Sequence, residues 1–286
     1  MMTFNTYLAQ KNYSPATITT YTKYLQNFTQ WLEVELLTAA EVTYSGLLEY
    51  IRWLQEKGKK NALIQHILCP LRHYFNYLIV TGERIDNPAA GLFLKGITRR
   101  LPGNLLSLEQ LQQLYEQYNI QLHVPVVKKI MLGLLIYQGI TVEELRRLEA
   151  ADFYLQEGKV NIGGSRHSNE RWLKLEPLQV LHLQEYLKVN RFKAGPLFTV
   201  EKNGIIGKHN IVCQVNWMMR QLRQLNPKLI NAQQIRSSVI TAWLKPHHLR
   251  QVQYMAGHRY VSSTQRYQVS HLEDLQSSLR RYHPMK

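Results

Sequence analysis

The chain has 286 residues, 45% of them hydrophobic, with 35 Lys and Arg against 20 Asp and Glu, a net charge of +15. That is enough chain for two domains with proper cores, and two cysteines as far apart as Cys69 and Cys213 argue against a disulfide framework or a zinc site. Sustained positive charge favours a polyanion through counterion release, so nucleic acid is the expected partner class. The N-terminus, M-M-T-F-N-T-Y-L-A-Q, carries no basic stretch followed by an apolar core, and no apolar run approaches membrane-spanning length. The expectation is a soluble, cytoplasmic, nucleoid-associated protein.

Ser14 and Pro15 mark a helix start, and Ile18, Tyr21, Leu25, Phe28, Trp31 and Leu32 follow at spacings of three and four, one buried stripe. A shorter helix precedes it, ending at the break Lys11 to Ser14. Two more are expected at about Thr43 to Glu56 and Asn61 to Val80, joined by the basic turn Lys57 to Lys60. No strand pattern interrupts this four-helix unit. Lys59, Lys60 and Arg72 are its candidate phosphate contacts.

Residues 86 to 106 combine prolines, glycines and a basic cluster and read as a linker, in which Arg99 and Arg100 are expected to track a DNA backbone. Beyond it, Ser107 with Gln110 three residues later opens a helix to about Tyr118, and another runs from about Val124 to Gln138. After Asp152 the pattern alternates: F-Y-L-Q, K-V-N-I-G-G, R-W-L-K-L-E, with a tight turn at Glu157-Gly158 and a longer loop from Gly163 to Glu170. This predicts a three-stranded antiparallel sheet. Residues 177 to 225 predict two helices around a loop at Gly195 to Gly207, with Lys202, Lys208, His209, Arg220 and Arg223 as candidate DNA contacts. The charge is unevenly spread: residues 1 to 96 carry nine Lys/Arg against seven Asp/Glu, residues 97 to 286 carry 26 against 13. The second part therefore dominates the electrostatics.

The most informative stretch is Met255 to Tyr267, M-A-G-H-R-Y-V-S-S-T-Q-R-Y. Gly257 and His258 close one helix, Ser262, Ser263 and Thr264 are expected to cap the next, and Tyr267 falls about one turn into it. A tyrosine becomes a nucleophile only when its proton is removed and its target polarised, so cations and hydrogen-bond donors should lie nearby; Arg236, His258 and Gln233 are the candidates. A Gly-His pair, a Tyr nine residues after the His and an Arg 22 residues before it resemble the last motif of the tyrosine recombinases, the phage integrase family.

Y-L-A-Q-K-N-Y-S-P-A-T-I-T-T-Y near the N-terminus is similar to the start of that family's helical, SAM-like core-binding domain. The resemblance implies a mainly α protein: a core-binding domain over residues 1–96 that clamps DNA, a linker over 97–106, and a mixed α/β catalytic domain over 107–286. It further implies a 3′-phosphotyrosine intermediate on double-stranded DNA carrying a specific site, without metal or cofactor, and a cyclic tetramer in which tails pass between protomers. His271 to Lys286, with Leu272, Leu275 and Leu279 on one side of a helix, fits such a tail.

Three positions depart from the family pattern. Gly139, Ile140, Glu144, Leu145, Leu148 and Asp152 match its first motif, but the catalytic arginine falls on Thr141. Losing one charge-assisted donor in a dry site costs roughly 2 to 4 kcal/mol of transition-state stabilisation, on the order of 100-fold in rate. The family's lysine in the second sheet turn, a general acid, corresponds to Arg166, a better phosphate ligand and a poorer acid. Arg166 is expected to take over the place left by Thr141, with a water, His167 or Lys174 protonating the leaving group. Gln233 stands at the first position of the H-x-x-R box that ends in Arg236, able to donate a hydrogen bond but not to shuttle a proton. Two functions follow: a recombinase with an altered active site, or a DNA-binding protein of that ancestry that no longer cuts. A type IB topoisomerase shares the chemistry but not the small helical N-terminal domain.

Overall fold

Side-chain hydroxyls set the starts of the first helices. Thr3 caps α1 (Phe4–Gln10), Ser14 caps α2 (Pro15–Val34) and Thr43 caps α3 (Tyr44–Glu56), each hydroxyl accepting the backbone N–H three residues on. α4 (Asn61–Val80) completes the set. The computed structural model describes residues 2–94, 104–122, 125–189, 195–198, 200–202, 205–207 and 211–268. They fall into two compact units, Met1–Arg99 and Arg100–Lys286.

In the first unit the apolar stripe of α2 meets α3 and α4 around Phe28, Trp31, Tyr50, Leu68 and Phe75. Phe28 stands edge-on to Tyr50 at 5.0 Å and to Phe75 at 6.1 Å, the geometry favoured by the ring quadrupoles. A smaller cluster of Phe4, Tyr7 and Leu8 seats α1.

In the second unit α5 (Leu108–Leu122) begins with a reciprocal cap: Ser107 Oγ accepts from Gln110 N while Gln110 Oε1 accepts from Ser107 N. α6 (Val126–Tyr137) is the central helix, with Ile130 to Ile136 buried. A helix buried on all sides has neighbours all round, and α5, α8 (Pro177–Val189) and α10 (Ala232–Trp243) pack against this one. α7 (Val142–Arg147) and a 3-10 turn at Ala150–Asp152 lead into the sheet of β1 (Phe153–Tyr154), β2 (Lys159–Ile162) and β3 (Arg171–Lys174). The sheet is antiparallel in the order β1-β2-β3, and its register stacks Phe153, Val160 and Leu173 on the buried face.

Two features differ from the expectations. The loop at Gly195 to Gly207 contains an antiparallel hairpin, β4 (Val200–Lys202) and β5 (Ile205–Gly207). After α9 (Ile211–Leu225), α10 and α11 (Leu249–Ala256), the last described helix, α12, spans residues 261–268. Ser262, Ser263 and Thr264 therefore lie inside its first turn rather than ahead of it, because Tyr260 O already accepts from Ser263 N. Tyr267 sits nearly two turns in, not one. Arg99, Arg100, Lys208, His209 and the tail from residue 269 lie outside the described residues.

Candidate active site

Glu144 is where the second unit's elements converge. It is the third residue of α7, and its carboxylate closes a capping box by accepting from Thr141 N at 2.8 Å and Thr141 Oγ1 at 3.0 Å. The same carboxylate receives Arg171, at the start of β3, through Nη1 at 2.8 Å and Nη2 at 3.2 Å. Arg236 Nη1 lies 3.8 Å away. Burial alone would raise the Glu144 carboxyl, but Arg171, Thr141 and Arg236 overcome it and hold the group at about 2.

Arg171 is fully buried, and its Nε donates to Met255 O at 2.8 Å, the end of α11. Arg236, also buried, is braced through Nη1 on Gly139 O and through Nη2 on Ala256 O at 2.6 Å. Two guanidiniums thus grip the carbonyls where α6 and α11 end, favourable placements for cations near helix C-termini. Burial lowers the Arg236 pKa, and the Glu144 charge opposes that shift.

At the end of α11, Gly257 takes a left-handed φ of 67° as the C-cap, and the chain turns into His258. That turn is fastened to the 163–170 loop: Asn169 N donates to Gly257 O at 2.9 Å and Ser168 forms a β-bridge with His258. The His258 Nδ1 and Thr264 Oγ1 atoms are 2.8 Å apart, and the imidazole stacks on the Tyr267 ring at 5.9 Å with planes 16° apart. Burial, then the charges of Arg236, Arg171 and Arg266, holds His258 down at about 4, so it is neutral at pH 7. Tyr267 is 7% exposed and packed with Ile240, Val252 and Ala256, and it raises the pKa of Arg236 electrostatically.

The fold therefore brings Tyr267, His258 and Arg236 together. Gln233 is exposed one turn before Arg236 on α10. Thr141 sits beside Glu144, its hydroxyl and amide both engaged in the cap. Arg166 and His167 line a cavity of about 410 Å³ with His258, Arg259, Tyr260 and Ser263. Arg259 Nη1 donates to Arg166 O at 2.8 Å, and Arg147 Nη1 holds Gly164 O at 3.1 Å, so two cations fasten this loop.

Lys174, one of the groups expected to protonate the leaving oxygen, pairs with Lys159 at the end of β3 away from Arg171 and the loop. Three residues of strand, roughly 10 Å, separate it from that end, so His167 is the better placed of the two side chains. In the first unit, Lys59 and Lys60 are exposed in the α3–α4 turn. Arg72 instead donates to Leu92 O at 3.1 Å and lies over the Phe93 ring at 4.2 Å. Arg171 and Arg259 also reach this region, and neither was among the candidate site residues named from the sequence.

This constellation on this fold defines a class. Residues 2–82 match the phage integrase N-terminal SAM-like domain and residues 104–273 match the phage integrase family. The chain belongs to the phage integrase family, the tyrosine recombinases. Among its relatives, tyrosine recombinase XerD of Proteus mirabilis is 27% identical over 282 residues, covering 96% of this chain and 89% of that protein. Tyrosine recombinase XerC of Histophilus somni is 27% identical over 276 residues, covering 94% and 91%. Among solved structures, the XerH site-specific recombinase bound to a palindromic difH substrate superposes with a TM-score of 0.72 at 18% identity, over 96% of this chain and 82% of that one. The Tn1549 transposon integrase in complex with a circular intermediate DNA gives 0.69 at 14% identity, over 93% and 95%. Both likenesses concern the fold.

Proposed function

We propose that this chain is a site-specific DNA recombinase that cuts and rejoins strands through Tyr267. The observation that carries the reading is a nearly buried phenol whose ring runs beside a neutral imidazole, His258, and which acts electrostatically on a braced guanidinium, Arg236. The Tyr267 oxygen gives up its proton to water and attacks phosphorus, and the bond to the 5′ oxygen breaks. That oxygen takes up a proton, leaving a 3′-phosphotyrosine link and a free 5′ hydroxyl. A partner strand's 5′ hydroxyl then attacks the link and releases the tyrosine. Energy is conserved in the covalent bond.

Arg236 neutralises charge on the non-bridging oxygens, with Gln233 and His258 as hydrogen-bond donors. Arg166, on the loop fastened to the His258 turn, supplies the second positive charge where Thr141 supplies none. His167 or a water protonates the leaving oxygen. Residues 1–96 form a DNA-clamping domain in this reading, 97–106 the link and 107–286 the catalytic domain. The net charge of +15 and the family support a double-stranded DNA partner. Four protomers assemble on the DNA, joined by tails beginning near His271.

A second reading rests on Thr141. Its hydroxyl is engaged with Glu144 and brings no charge, which favours a protein that binds the site without cutting it. Incubation with a nicked duplex that traps the covalent step separates the two. A protein–DNA adduct absent in Tyr267→Phe supports the recombinase, and no adduct with DNA bound supports the second reading.

A further inference from the structure

We propose that Thr264 is a positioning residue: its hydroxyl donates to Nδ1 of His258 and fixes the imidazole with its proton on Nε2. His258 is then a hydrogen-bond donor to a phosphate oxygen and not the base that deprotonates Tyr267. The role in strand transfer rests on the function proposed above, whereas the tautomer does not.

The 2.8 Å contact between Thr264 Oγ1 and His258 Nδ1 leaves the direction of donation open. A neutral imidazole has one N–H and one bare nitrogen, and the bond made by one nitrogen decides which is which. Thr264 is fully buried, and a buried hydroxyl must give its hydrogen to some acceptor. Thr19, Thr20, Thr22 and Thr241 donate to the carbonyl four residues back in their helices. Among the described residues Thr264 makes no such bond, and its hydroxyl meets His258 Nδ1. Among the described residues, His258 Nδ1 is the acceptor that the Thr264 hydroxyl reaches. The hydroxyl therefore donates, Nδ1 is bare, and Nε2 carries the hydrogen.

The Tyr267 ring runs near-parallel to the imidazole, 16° apart, with the centroids 5.9 Å from each other. Thr264 and Tyr267 stand three residues apart on α12, on the same side of the helix. The helix that delivers the nucleophile thus also sets the protonation of its neighbour, and the two are in place together.

The test uses the full chain with ¹⁵N-labelled histidine, the His258 resonances being assigned by their loss in His258→Gln. A bare Nδ1 and a protonated Nε2 are expected at neutral pH in the native chain and in Thr264→Ser. A protonated Nδ1 in the native chain would overturn the proposal. Single-turnover cleavage of the nicked duplex at saturating protein is the second readout. Thr264→Val should slow it by about tenfold or more with DNA affinity unchanged, since one donor in the site is no longer held, and Thr264→Ser should retain most of the rate. Cleavage by Thr264→Val at the native rate would refute the positioning role. A native chain that forms no adduct would overturn the recombinase reading and the role in strand transfer, while the nitrogen spectrum would still decide the tautomer.

Discussion

A single carboxylate organises the cations of the site. Glu144 satisfies Arg171 outright and lies within ion-pair distance of Arg236, so removing its charge strands a buried guanidinium. Glu144→Gln should destabilise the second unit by about 3 to 5 kcal/mol, read as a lower denaturant midpoint. Because the folded pKa, about 2, lies below the ordinary 4.5, the contribution is fully present above about pH 4.5 and is lost as pH falls towards 2. Denaturation profiles across that window should slope in the native chain, and this component should be absent in the variant. Arg166 is tested by cleavage: Arg166→Ala should slow the single-turnover rate on the order of 100-fold, Arg166→Lys less, because a cation in the cavity is what the missing arginine requires. Near-native rates in both variants would remove Arg166 from the reaction. Tyr267, His258 and Arg236 were named through the resemblance of their spacing to the family's last motif. Arg171 was not, although period-two alternation puts it on the inward face with Leu173 and Leu175. An inward-facing arginine demands a buried carboxylate partner, and Glu144 provides it.

Between elements, the turn after α11 carries the tightest constraint. A Cβ at Gly257 would run into the Arg171 guanidinium, on a residue already at positive φ. Gly257→Ala should lower stability by roughly 2 to 4 kcal/mol, from left-handed strain and overpacking together, and should slow cleavage by displacing His258. A thermal midpoint equal to the native one would contradict that packing. The helix starts were readable because Ser14, Thr43 and Ser107 cap as their residue types predict, and the sheet because its alternation is clean. The β4–β5 hairpin was missed although Asn203-Gly204, a strong hairpin dipeptide, stands between its strands; the three-residue strands are too short to show alternation. The start of α12 was misplaced for another reason. Three hydroxyls in a row look like caps, but Thr264 is turned inward to His258, a tertiary contact that local sequence does not reveal.

For the molecule as a whole, charge and chemistry lie in the same part of the chain. Residues 97 to 286 carry a surplus of 13 positive charges, and the same stretch holds Arg236, His258 and Tyr267. A nucleic-acid partner was therefore legible from composition, and the reaction from the final motif. Arg166 was named as the substitute for the arginine at Thr141 through the resemblance of the second sheet turn, whereas Arg259 was not named, because a side chain can arrive from any loop that the fold brings near. Arg166 and Arg259 reach the His258 cavity from stretches 93 residues apart. The central claim is that the Tyr267 oxygen becomes esterified to a DNA 3′ end. It is tested most directly by digesting the trapped adduct and identifying, by mass spectrometry, the peptide that carries the nucleotide. The account predicts a single modified peptide bearing Tyr267 and a free 5′ hydroxyl on the released strand. A nucleotide on any other residue, or a 5′ end that remains bonded to protein, would contradict it.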